Sequence, residues 1–385
     1  MNKLATAFLS CIRANDRIGS KPALIKKCLA EFNLTRDRSV YYTKAFAVRF
    51  SYSATGSFSN TVLSLSNLQK YDEIPFFVCL VTKGTNRVYL ANSTFLSKIS
   101  HSSHQLRVNN IRGSFNGSDI MKEFNGLANE PTNFEQLFNI HSGLGFEGNL
   151  PRIVEATTNI VPSGEKFALS NSDRANITGS IARAVSFVNS TDYKELLADL
   201  DARVANFSKE IVIASLIENV NIRGRIIEYL IAGEDESLRK EIVKCLKANE
   251  SITPRFATEN TLGDYTRDFA NFHTETDVKT KIMVLNSNPK AYNIDKMLEF
   301  LSRDKTVFMF YFVGIDPGKI VSKVLTSMFQ EQLVRATILL KHWAGRNSRG
   351  VTQLEGSTIH NLLVSPSNKI DVSAGKELVD RLMAL

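Results

Sequence analysis

The sequence predicts a mixed α/β (α+β) fold with a strand-rich first half. Three observations carry this. Residues 40–92 are dense in Tyr, Phe, Val, Ser and Thr, types that fit a pleated, half-buried surface. Residues 173–249 repeat apolar side chains at helical spacing. Val307-Phe308-Met309-Phe310-Tyr311-Phe312-Val313-Gly314-Ile315 is an almost unbroken apolar run, the pattern of a strand covered on both faces. At 385 residues the chain has room for two or three domains. The change from strand-type to helix-type composition divides it into 1–172, an α+β domain, and 173–385. Hydrophobic residues make up 43% and charged residues 22%, the proportions of an ordinary soluble chain. No apolar run approaches the roughly 18 residues that span a bilayer.

Taken in order, residues 4–32 read as two short helices broken at 16–20, with Pro22 in the first turn of the second. The first eleven residues superficially resemble a signal peptide. Their apolar run is short and Arg13, Asp16 and Arg17 follow at once, so an amphipathic helix fits better. Residues 40–92 are expected to form a mostly antiparallel sheet, with residues 88–91 returning across Lys83-Gly84-Thr85-Asn86. Residues 100–119 are polar and irregular. Residues 134–140 read as helix. The segment His141 to Asn149 is Gly-rich but lacks the G-x-G-x-x-G order of a dinucleotide loop. Residues 155–166 read as another polar loop. No G-x-x-x-x-G-K-[ST] loop occurs, so nucleotide hydrolysis has no support. Beyond 173, apolar stripes include Ile181, Val185 and Val188, then Leu196, Leu200 and Val204, then Ile226, Ile227 and Leu230, with Gly233 as a helix stop. Residues 294–301, 321–340 and 376–385 are expected to be helical. The four cysteines, Cys11, Cys28, Cys79 and Cys245, are scattered, which indicates reduced thiols of a cytoplasmic protein and no zinc site or disulfide framework. His101 and His104 have ligand spacing but no third partner nearby.

The chemistry concentrates in residues 222–282. Leu262-Gly263-Asp264-Tyr265 opens a short strand, and Thr276-Asp277-Val278-Lys279-Thr280-Lys281-Ile282 forms the next. Residues i and i+2 of a strand share a face, so Asp277 and Lys279 project together. A hairpin between the two strands brings Asp264 towards Asp277. Upstream, Arg223-Gly224-Arg225-Ile226-Ile227-Glu228 places a carboxylate on a helix. One or two carboxylates with water and phosphate oxygens suffice for Mg²⁺, which acidifies water and stabilises a leaving oxygen. A solvated charged hairpin, with Glu228 an ordinary helical carboxylate, is the plain alternative.

In these residues the chain resembles the PD-(D/E)xK nuclease superfamily, and within it the type II restriction endonucleases. Asp264 matches the first Asp, Asp277-Val278-Lys279 the D/E-x-K triplet, and Glu228 the Glu that often comes from a preceding helix. Gly263 stands where the pattern has Pro. The resemblance covers roughly the C-terminal half. It implies a restriction-endonuclease-like core in 173–385 and Mg²⁺-dependent, sequence-specific cleavage of double-stranded DNA. Asp264, Asp277 and Glu228 would then be metal ligands and Lys279 would position water. It also implies a homodimer and a cognate DNA methyltransferase in the same system. A nuclease of repair or junction resolution, or a non-catalytic DNA-binding protein, are the alternatives.

The net charge of +8 suits a polyanionic partner. Two donor-rich segments are candidate DNA contacts, the first giving the 1–172 domain its expected DNA-contacting role. It offers Arg107, Asn110, Arg112 and Asn116, and the second, around Trp343, offers Arg346, Asn347, Arg349 and Gln353, types that pair with phosphates and base edges. Lys281 joins them beside the triplet. Ordinary surface loops are the alternative reading of both.

Overall fold

The computed structural model describes residues 2–100, 113–159, 166–248, 262–285, 287–341 and 348–385. The chain forms two compact units, residues 1–163 with 342–346 and residues 164–341 with 347–385, the first break falling between Ser163 and Gly164. This lies ahead of the expected boundary at 172, because the residues between belong to the second unit: the Phe167 N–H donates to Asp295 Oδ1 at 3.2 Å, and Ser170 caps the first helix of that unit.

In the first unit, α1 (Lys3–Ala14) and α2 (Lys21–Phe32) are the two expected helices, capped by Asn2 and Ser20. Strands β1 (Thr35–Asp37), β2 (Val40–Tyr42) and β3 (Ala47–Tyr52) lead to β4 (Thr61–Ser64) and the single turn α3 (Leu65–Leu68). Then come β5 (Phe76–Val81) and β6 (Arg87–Leu90), β7 (Ser114–Asn116), the small β8 (Glu123–Phe124) and β9 (Leu127–Ala128), and the long α4 (Phe134–Thr158). The main sheet has the order β1-β2-β3-β5-β6, antiparallel except for the parallel β3–β5 pair. Alternation sends Val48, Phe50, Phe77 and Cys79 to one core with Phe8 of α1, and Ala47, Phe76 and Val78 to another with Phe115 and Ile153. The Gly-rich segment 141–149 lies within α4. α4 consists of two helical stretches that meet at a kink where Gly145 takes a non-helical backbone (φ 64°), and the residues 155–158 assigned to a loop are the last turn of the second. A buried polar network explains the order there: His141 Nδ1 lies 2.7 Å from Thr94 Oγ1, and Asn149 Nδ2 donates to the same oxygen at 2.8 Å.

The second unit begins with five helices, α5 (Asn171–Val188), α6 (Thr191–Asn206), α7 (Ser208–Ser215), α8 (Val220–Ala232) and α9 (Glu236–Ala248). Strands β10 (Tyr265–Asp268), β11 (His273–Ile282) and β12 (Lys290–Asn293) precede α10 (Ile294–Leu301). Next are β13 (Thr306–Asp316), β14 (Lys319–Ser327), α11 (Glu331–Ala336), β15 (Thr337–Lys341), β16 (Gly350–Leu354), α12 (Gly356–Val364) and α13 (Val372–Met383). The central sheet runs β10-β11-β13-β14. Its β10–β11 and β13–β14 pairs are antiparallel and its β11–β13 pair is parallel. A parallel pair needs a crossover, which β12 and α10 supply. β13 is buried along nearly its whole length, as its apolar run requires; each such large side chain contributes about 1.5–3 kcal/mol.

The helix expected over 321–340 is not formed. Those residues make β14, the short α11 and β15. Asp316 pairs with Lys319 across Pro317-Gly318, and Gly318 takes φ 84°, so a tight turn folds the chain straight back onto β13. Ile320, Val321, Val324 and Thr326 are β-branched and suit the pleat better than a helix. At the coarser level the architecture is the expected one, mixed α/β.

Candidate active site

The site is built on the β10–β11 hairpin. The Asp264 N–H donates to Thr276 O at 2.9 Å just before β10 begins, setting Asp264 opposite Asp277. Asp264 Oδ2 accepts the Val278 N–H at 2.8 Å. Gly263 makes this approach possible, because a Cβ there would fall 2.8 Å from the Thr276 backbone nitrogen. Along β11, Glu275, Asp277, Lys279 and Lys281 alternate with Thr274, Thr276 and Val278. Asp277 is in register with Phe310 and Lys279 with Phe312 of β13, so an aromatic row borders the charged one. Arg203 of α6 lies over the Tyr265 ring at 4.6 Å, and Tyr265 and Arg267 both bond Asp199, which ties β10 to that helix.

The structure brings together all four predicted residues of the acidic cluster. Lys279 Nζ bonds Asp277 and lies 4.0 Å from Glu228 Oε1. Glu228 reaches the hairpin from α8, whose Ile226, Ile227, Leu230 and Ile231 are fully buried and hold the helix down. Burial drives the Asp277 carboxyl, 4% exposed, well above the ordinary carboxylate range; Lys279 opposes this and Asp264 adds to it. Burial likewise pushes Glu228 up to about 7, with Lys279 and Arg225 pulling back and Asp264 pushing further. For Lys279, burial alone would favour the neutral amine. Asp277, Glu228 and Asp264 outweigh it, and the ammonium is held above its ordinary range.

One ammonium therefore faces three carboxylates, two of which are driven towards protonation. A divalent cation would offset the excess negative charge of such a donor set, and hard oxygen ligands of this kind suit Mg²⁺. Among the described residues no three His, Cys, Asp or Glu side chains form a ready-made metal shell. A fit to Mg²⁺ would be of the sparse kind, in which Asp264 and Asp277 would supply direct ligands and Glu228 would support them.

The proposed DNA contacts fare differently. Lys281 is 4% exposed and its Nζ bonds Leu285 O, so it is turned inward. Arg349 is also spent internally: its guanidinium pairs with Asp295 and donates to Phe167 O at 3.0 Å. Asn116 is half-buried at the start of a 3₁₀ turn, its N–H donating to Asp119 Oδ2 at 2.8 Å. Gln353 lies on β16 and donates to Asn288 O at 2.7 Å. Arg107, Asn110, Arg112, Arg346 and Asn347 lie outside the described residues, as do His101, His104 and Trp343. Glu275, which the sequence reading passed over, stands two residues before Asp277 on the same face; period-2 alternation was the signal that could have found it.

No family model, curated protein or solved structure matches this chain. Among the described residues no helix is long and apolar enough to cross a membrane.

Proposed function

We propose that this protein is a Mg²⁺-dependent endonuclease of double-stranded DNA. Its second unit would carry a core like that of PD-(D/E)xK nucleases. The supporting observation is the convergence of Asp264, Asp277 and Lys279 on one hairpin, with Glu228 brought to Lys279 from α8. The topology agrees in kind: a helix, two antiparallel strands, a crossover helix and a parallel third strand.

Bound Mg²⁺ would supply positive charge at the phosphate and acidify an attacking water. Asp264 and Asp277 would hold it, and the second oxygen of Asp264 stays fixed by the Val278 N–H. Lys279, kept protonated by its three carboxylate neighbours, serves as a charge that orients water and stabilises the crowded phosphate rather than as a base. Water oxygen bonds to phosphorus and releases a proton to solvent, the bond to the 3′ oxygen breaks, and that oxygen takes up a proton from solvent. The products carry 5′-phosphate and 3′-hydroxyl ends. Recognition of one short sequence, a homodimer, a cytoplasmic setting and a companion methyltransferase belong to the same restriction-type proposal.

Digestion of a mapped plasmid tests it. Discrete fragments that require Mg²⁺ and vanish in Lys279→Ala are expected. Cleavage without site preference would move the assignment to a repair or junction nuclease. Absence of Mg²⁺-dependent cleavage from a folded wild type would overturn the nuclease reading.

A further inference from the structure

We infer that Glu275 is a positioning residue that clamps the Asp264 segment onto β11, an inference that rests on the nuclease reading of the cluster. Glu275 is 8% exposed, on the face of β11 that also carries Asp277 and Lys279. Its Oε2 accepts two successive backbone amides, Leu262 N–H at 2.9 Å and Gly263 N–H at 2.7 Å. Those amides immediately precede Asp264. Hydrogen bonds to an ionised acceptor are about twice as strong as neutral ones, and two on one oxygen define a direction as well as a distance.

The clamp completes a set of ties that all run to one strand. The Asp264 N–H bonds Thr276 O, Asp264 Oδ2 receives the Val278 N–H, and Gly263 packs directly on the Thr276 backbone. Without Glu275 the segment entering Asp264 has no side-chain anchor among these bonds. Among the described residues, the side-chain anchor of this segment is Glu275. Every tie is made to the strand that bears Asp277 and Lys279, so the separation of the two metal-holding carboxylates is set locally by the hairpin. Glu275 spends its carboxylate on backbone amides, which gives it a role separate from that of Asp277.

The two roles divide on a conservative substitution. The amide oxygen of Gln can accept both N–H groups, but it carries no charge. Three measurements on Glu275→Gln and Glu275→Ala test the inference: thermal melting, Mg²⁺-dependent DNA cleavage, and amide hydrogen exchange at Leu262 and Gly263. Glu275→Gln is expected to keep the slow exchange and a kcat within a few-fold of wild type. Glu275→Ala is expected to lose the protection and to lower kcat by about 10²-fold, the cost of misplacing a reacting group by an ångström, with KM for DNA nearly unchanged. Loss of kcat in Glu275→Gln with protection retained would overturn the inference, because the charge itself would then be at work. So would unchanged exchange and kcat in Glu275→Ala. Should Glu275→Ala not fold, Glu275→Gln decides alone by the same comparison. Should wild type cleave no DNA, the nuclease reading falls while exchange in Glu275→Ala still decides the clamp.

Discussion

At the scale of single residues, the cluster's chemistry follows from an imbalance of charge. Asp277 is buried beside Asp264 with one lysine to share. Asp277→Asn is expected to abolish cleavage and leave DNA affinity unchanged or slightly raised, since a carboxylate facing phosphates is removed. Parallel titrations of binding and cleavage check this, and equal loss of both in a folded variant would count against the assignment. Glu228 gives a pH signature. Its carboxyl in the folded protein holds a proton up to about 7, against an ordinary value of 4.5. Between those values the folded state binds more protons than the unfolded state, so this group makes stability fall as pH rises through the window. The buried Asp277 acts in the same direction. Mg²⁺ selects the ionised carboxylates, so it is expected to raise Tm more at about pH 8 than at about pH 5. Glu228→Gln is expected to shrink that difference and lower the cleavage rate while keeping the helix intact. A Mg²⁺ effect on Tm that ignores pH would remove Glu228 from the metal shell.

At the scale of elements, the β10–β11 hairpin accounts for Gly263, which stands where the pattern the chain resembles has Pro. Gly263 donates its N–H to Glu275 and leaves no room for a Cβ against Thr276. Gly263→Pro would bring the sequence nearer to the superfamily pattern, yet proline removes that donor and adds bulk at the close contact. It is expected to lower kcat at least as much as Glu275→Ala, and wild-type activity in this variant would contradict the hairpin geometry. The segment before β16 shows how a functional expectation yields to packing. Arg349 closes an ion pair with Asp295 in the first turn of α10, and both side chains are largely buried. Removing one partner of such a pair costs roughly 3 kcal/mol. Arg349→Ala is therefore expected to lower stability in a denaturant melt and to leave site preference as it was. An altered preference at unchanged stability would return Arg349 to the recognition surface.

At the scale of the molecule, two compact units divide the chain, and the acidic cluster belongs wholly to the second. Cutting both strands of a palindrome suits two-fold symmetry, so the restriction-type proposal carries an assembly state. Sedimentation at cleavage concentrations is expected to give a mass near twice the 43.0 kDa chain. A monomer that still makes double-strand cuts would detach the dimer from the proposal.

Local pattern alone determined a good part of this. Alternation along β11 placed Asp277 and Lys279 on one face, the apolar run predicted a buried β13, and Pro22 marked the first turn of α2. The helix expected over 321–340 failed because Leu325, Met328 and Leu333 also fit helical spacing. The decisive signal was the Pro317-Gly318 turn, which lies outside that window. Only the tertiary structure decided which element covers each face. It brought Glu228 of α8 to Lys279, turned Glu275 onto the amides ahead of Asp264, and drew Lys281 and Arg349 inward. Periodicity states which residues of one element point the same way. It does not state what lies opposite them, and the partner opposite is what makes a carboxylate a ligand, a clamp or half of an ion pair.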